Sequence, residues 1–157
     1  MAGSPYETAD GTESSGVRQI SVFMDNRVGQ LLRLIHALKG SNVRILAMQV
    51  DPAADCAIVR MVLDDTDTGL GLIKGAGFAT NVSELIVVEL APGSYLLTVC
   101  SALLSAELNI DYVYPLLAQP TGHPALALHC DNHSLAVQVL RGRDFRMLGE
   151  DDLNPPR

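Results

Sequence analysis

The chain has 157 residues, 48% of them hydrophobic and only 18% charged, with a formal net charge of −7. That balance describes a chain that folds and buries much of itself, and it excludes a disordered one. With no Lys/Arg cluster anywhere, a surface for nucleic acid or an anionic membrane is also excluded.

Residues 1–16 are rich in Gly, Ser, Thr and Glu and have almost nothing to bury, so they read as a disordered tail. Ile20, Val22 and Met24 then alternate with polar Ser21 and Asp25, the pattern of a strand with one buried face. A turn at 25–29 leads to Leu31, Leu34, Ile35 and Leu38 at helical spacing, with Gly40 as a stop. Strands are predicted at 43–50 and 56–63, joined by a hairpin at 51–55. Asp64 or Asp65 can cap a second helix running through 70–75, whose glycines weaken it. The later elements are predicted as strand 85–90, helix 94–106, strands 108–117 and 125–130, helix 132–142 and strand 145–148. The chain is expected to fray from 151 to 157. No apolar run is long enough to span a bilayer and no leader peptide is visible, so a soluble cytoplasmic protein is expected.

This order contains a duplication. The run Leu31-Leu32-Arg33-Leu34-Ile35-His36-Ala37-Leu38 recurs 65 residues on as Leu96-Leu97-Thr98-Val99-Cys100-Ser101-Ala102-Leu103. Farther along the offset becomes 67, placing Asp64 on Asp131, Gly75 on Gly142 and Phe78 on Phe145. Each copy reads β-α-β-β-α-β, with a first unit at 17–81 and a second at 82–150. The copies are not equivalent. Residues 96–104 contain no charge, whereas their twins include Arg33 and Lys39. A helix apolar nearly all round is buried on more than one side, so helix 94–106 is expected to face the other copy or another subunit.

The run Ile20-Ser21-Val22-Phe23-Met24-Asp25-Asn26-Arg27-Val28-Gly29-Gln30-Leu31, followed by Val43-Arg44-Ile45 and by Ala57 to Asp64, resembles the ACT domain. Asn109-Ile110-Asp111-Tyr112-Val113-Tyr114 is similar to the second unit of small bacterial proteins made only of two tandem ACT domains. The resemblance covers roughly residues 18–150. It implies an α+β fold of two ferredoxin-like βαββαβ units, their antiparallel sheets joined side by side into one of eight strands with helices on one face. It also implies a non-catalytic regulatory protein, without cofactor, that binds an amino acid at the seam between paired units. The partner would be a second copy in a homodimer, or an amino-acid biosynthetic enzyme such as acetolactate synthase.

Carried onto this chain, the implied ligand residues are Asp25, Asn26, Val28, Gly29, Gln30 and Leu31 in copy one. In copy two they are Pro92, Gly93, Ser94, Tyr95 and Asn109. A glycine at such a loop lets backbone amides approach a ligand, and a helix N-terminus favours a carboxylate. Val28 replaces the family's usual Pro, Arg44 stands where Asn109 stands in copy two, and the second loop has no acid or amide before its Pro-Gly. The two loops therefore differ chemically, and loop 25–31 is the better equipped, with Asn26 and Asp25 reaching a ligand's amino group.

Other chemistry is less well supported. His129, Cys130, Asp131 and His133 span a predicted strand and helix, so their spacing does not make them converge on a metal. Gly69, Gly71 and Gly75 lack dinucleotide-binding spacing. Asp64-Asp65 and Glu150-Asp151-Asp152 read as a cap and a solvated tail. No nucleophile sits in a motif with a base. Cys56, Cys100 and Cys130 form no CxxC pair and read as small buried hydrophobes. Tyr112 and Tyr114 either flank the seam or pack under a helix.

Overall fold

The computed structural model describes residues 16–93 and 95–154; the expected tail to residue 15, Ser94 and residues 155–157 lie outside these. In chain order the elements are β1 Val17–Asp25, α1 Gln30–Ala37, β2 Ile45–Pro52, β3 Cys56–Leu63, α2 Thr66–Gly75 and β4 Ala79–Glu89. They continue as α3 Leu96–Ser105, β5 Ile110–Pro115, β6 Ala125–Cys130, α4 His133–Gly142, β7 Met147–Leu148 and α5 Glu150–Leu153. Both βαββαβ units are present, and their antiparallel strands form one sheet ordered β2-β3-β1-β4-β6-β5, with β7 also paired to β4.

The sheet has seven strands rather than eight because β4 belongs to both units. Its first part, Ala79–Leu85, pairs with β1. Its last part pairs with β6 through Ile86–Glu89 and with β7 through Val87–Val88. The boundary expected at 81/82 thus falls inside one continuous strand. Even-numbered residues of β4 serve the helical side of both units. Val82 lies opposite Ile20, which packs with Leu34 of α1 and Ile73 of α2. Ile86 and Val88 pack with Val99 and Leu103 of α3 and Leu140 of α4. All four long helices therefore lie on one face.

The other face is not left to water. The sheet curls so that the helix-free sides of the two units pack together: Val17, Ala47, Val62 and Leu85 meet Tyr114, Ala125, Ala127 and Leu148. Leu117 N donates to Leu46 O at 2.7 Å where the two edges approach. Strand β1 is consequently buried on both faces along much of its length, including Gln19 and Ser21, where alternation predicts exposure. Tyr112 and Tyr114 lie in this inner layer and not under a helix. Gln19 Nε2 donates to Ser83 Oγ at 3.2 Å and Tyr112 Oη at 2.8 Å, and Tyr114 Oη donates to Gln19 Oε1 at 2.5 Å.

The repeat is written in hydrogen bonds. Arg44 N donates to Asp64 Oδ1 at 2.7 Å, and Asn109 N donates to Asp131 Oδ1 at 3.2 Å. In return Asp64 N and Asp131 N donate to the carbonyls of Arg44 and Asn109. These two clasps occupy amides that a ladder would otherwise use, which is why the strands predicted from 43 and 108 begin at 45 and 110. Asp65 Oδ1 accepts from Thr68 N and Asn132 Oδ1 from Leu135 N, both at 3.1 Å, capping α2 and α4 alike. Asp65 is thus the cap, and Asp64 the clasp. Residues 151–153, expected to fray, instead belong to α5, which buries Leu153 in the inner core.

The glycines of α2 separate into two kinds. A Cβ at Gly69 would lie 2.2 Å from Leu63 Cδ1, while one at Gly71 meets nothing within 4 Å. Gly71→Ala should therefore stabilise the fold by about 0.5–1 kcal/mol through helix propensity, and Gly69→Ala should stabilise it less or destabilise it. Urea unfolding midpoints check the ordering. In the inner layer, Gln19→Leu alone should cost about 1–3 kcal/mol by stranding buried hydroxyls. Adding Tyr114→Phe should cost much less than the two single losses combined, and additive losses would refute a shared network.

Candidate functional site at the strand–helix loops

Loop 25–31 begins where β1 ends against β3, at the Asp25–Cys56 pair. Asn26 ties it down: its N donates to Asp55 O at 3.2 Å and its Nδ2 to Ala53 O at 2.9 Å. The hairpin between β2 and β3 thus acts as a brace beneath the loop. Asp25 pairs with Arg27 at 3.1 Å, both well exposed, so the pair adds little stability. Val28 is fully exposed. Gly29 is the N-cap of α1 with φ +89°, a left-handed conformation that favours glycine. It has no side chain to cap the helix, and nothing lies within 4 Å of where its Cβ would stand. Gln30 N donates to Arg27 O at 3.3 Å, and Leu31 is partly exposed. The result is a braced loop whose open side presents a helix N-terminus without a side-chain cap.

The second loop is built differently. Pro92 and Gly93 are exposed, Gly93 has φ +93°, and Ser94 lies outside the described residues. Tyr95 N donates to Thr98 Oγ1 at 3.0 Å, which occupies the amide just before α3, while the amides of its first turn have no side-chain cap, as in α1. Asn109 uses both of its nitrogens within the unit, its backbone N in the clasp with Asp131 and its Nδ2 on Asp111 Oδ1 at 3.1 Å. It is the structural counterpart of Arg44, whose Nε also holds Asp64, at 3.0 Å.

The structure does not bring the two loops together. Phe23 of β1 pairs with Ala79 at the start of β4, whereas Pro92 follows the end of β4. An eleven-residue strand separates them, a span of roughly 35 Å at about 3.3 Å per residue.

The histidines and cysteines singled out in the sequence do not converge on one site. His129 Nδ1 lies 2.8 Å from Asp111 Oδ2 and its ring stacks on Tyr112, while His133 faces Glu84 at 3.6 Å. The two histidines thus serve different partners, and no group of metal-binding side chains occurs among the described residues. Cys130 is buried, which pushes its thiol up to about 11. Cys100 is partly buried, and Cys56 is exposed, contrary to expectation.

Sequence reasoning missed the seam residues Gln19 and Arg60, since each reads as the solvent position of an alternating strand. Arg60 lies 4.1 Å over the Tyr112 ring and 3.4 Å from Asp51. It also missed Glu150, read as solvated tail. Arg18 Nε donates to Glu150 Oε1 at 2.8 Å and Arg18 Nη1 to Asp67 Oδ1 at 2.8 Å, so one guanidinium joins β1, α2 and α5. That hydrogen bond holds the Glu150 carboxyl below its usual value, partly opposed by burial. A depressed carboxyl stabilises the fold above its unfolded pKa and loses this effect as pH falls through the folded one. Glu150→Gln should thus be less stable than the parent at pH 7, with the gap closing below about pH 4. Urea midpoints at both pH values test this, and a gap constant with pH would overturn it.

The comparisons agree on the scaffold. A family model described as ACT domain pair matches residues 15–155. The fold is similar to that of protein BT0572 from Bacteroides thetaiotaomicron, with 24% identity, a TM-score of 0.76, and coverage of 90% of this chain and 99% of that one. It is similar, too, to the regulatory subunit of aspartate kinase from Thermus thermophilus, at 9% identity and a TM-score of 0.57, covering 81% and 92%. No curated protein matches the sequence. With two βαββαβ units sharing a strand, and the family match running through both, the chain belongs to the ACT domain pair family.

Proposed function

We propose that this protein is a non-catalytic regulator that binds a free amino acid at loop 25–31. The observation that carries the reading is the asymmetry of the loops. Both helix starts lack a side-chain cap and both glycines face open space, but only loop 25–31 carries an acid and an amide, Asp25 and Asn26, and is braced from below by Asn26. The backbone amides at the start of α1 and the helix dipole suit a carboxylate. Asn26 Oδ1 and the Asp25 carboxylate are the acceptors for an ammonium group, the latter by exchanging its exposed partner Arg27. Val28, Gln30 and Leu31 border the ligand's side chain. Pro92, Gly93, Ser94 and Asn109 belong to the second, less equipped position. The free thiols fit action in a reducing compartment such as the cytoplasm.

A second reading, a regulatory subunit of an amino-acid biosynthetic enzyme such as acetolactate synthase, draws support from the fold shared with an aspartate kinase regulatory subunit. Co-purification with a large catalytic chain would favour it over independent action.

Thermal unfolding of dialysed protein against each of the twenty amino acids tests ligand binding. A true ligand at a hundredfold excess over its Kd adds about 2.7 kcal/mol. Gly29→Val, strained at positive φ, should abolish that shift, and Asn26→Ala should weaken it. No shift with any amino acid at millimolar concentration would overturn the proposal.

A further inference from the structure

Helix α3 was expected to be buried on more than one side, yet within the chain it is covered on one side only. Val99, Ala102 and Leu103 face the core. The opposite side carries Leu97 at 76% and Leu104 at 75% exposure, flanked by Tyr95 at 65% and Leu96 at 49%. This is not the solvated face of an ordinary surface helix, because its sequence LLTVCSALLS contains no charge at all. The matching helix α1 carries Arg33, His36 and, just beyond its end, Lys39.

We propose that this face of α3 is a two-fold interface with a second copy of the chain. Leu97 and Leu104 are two helical turns apart, and between them the same face carries only the small residues Cys100 and Ser101. The order large, small, small, large is the same in both directions. Two such helices crossing antiparallel about an axis between Cys100 and Ser101 place each Leu97 beside Leu104 of the second copy. The small residues meet at the axis, where they allow a close approach of roughly 8 Å between helix axes. Such self-complementarity is what a two-fold contact requires, and the absence of charge gives an oppositely charged partner nothing to select. The four exposed apolar residues present on the order of 400–500 Å², the size of patch that on a monomer is often functional. Two copies together bury roughly 800–1,000 Å², the size of a small, reversible interface. The surface is distinct from loop 25–31, and binding there does not depend on it.

Sedimentation equilibrium of the full chain at about 20 μM should give the mass of a dimer. Leu97→Glu and, separately, Leu104→Glu should each weaken association at least tenfold without changing the far-ultraviolet circular dichroism, since both side chains are exposed. With exposed Cys56 replaced by Ser, a short bismaleimide should link two copies through Cys100, and adding Cys100→Ser should abolish the link. A parent that is monomeric at this concentration overturns the proposal. So does a dimer that both glutamate variants leave intact.

Discussion

The arrangement of the two units depends on covering the helix-free face of the sheet. Four helices occupy one side, so seven strands would leave an apolar surface in water on the other, at a cost of about 25 cal/mol for each Å². Curling the sheet removes that surface by packing the units against each other, and Gln19 sits in the resulting layer with no exposure. A buried amide without partners is costly. Here Ser83, Tyr112 and Tyr114 satisfy it, the tyrosines from the other unit. Burial pushes the Tyr114 phenol upward, so it remains a neutral donor. Sliding the units by one residue would break this network, which makes it a register mark as well as a source of stability.

Around that constraint, the copies share their scaffold and differ in their surfaces. The carboxylate clasps at Asp64 and Asp131 and the caps at Asp65 and Asn132 recur at one offset, so both units end their strands and start their helices by the same means. The loops preceding α1 and α3 have diverged. One is braced by Asn26 on the hairpin below it; the other has no such brace and ties its last amide to Thr98. The outer faces of those helices have diverged too, one keeping charge and the other exposing leucine. Divergence on a duplicated frame places the braced loop and the uncharged helix face at opposite ends of β4, where each can change without disturbing the other.

Much of this was legible because it is local. Alternation at 20–25, helical spacing at 31–38 and cap residues at 65 and 132 report conformations decided within a few residues. The duplication fixed the topology of the second unit from that of the first. Strand ends were harder, because Arg44 and Asn109 leave the ladder for carboxylates some twenty residues away. Loop 25–31 could be singled out by its Gly and Asn, but not the brace at Ala53 and Asp55. For α3, lack of charge revealed an unusual helix without saying which side the chain itself would cover.

The sequence by itself determined the repeated βαββαβ units, the side of each strand that meets helices, and the chemical inequality of the two loops. These follow from periodicity and residue type, which act over one or two turns of chain. Only the tertiary structure decided that β4 is shared, that the sheet curls, that Gln19 and Glu150 serve the joint between units, and that the loops lie far apart. Those outcomes come from contacts between residues 36 to 132 positions apart. In sequence, a buried polar residue there looks the same as an exposed one, because what covers it is another part of the fold.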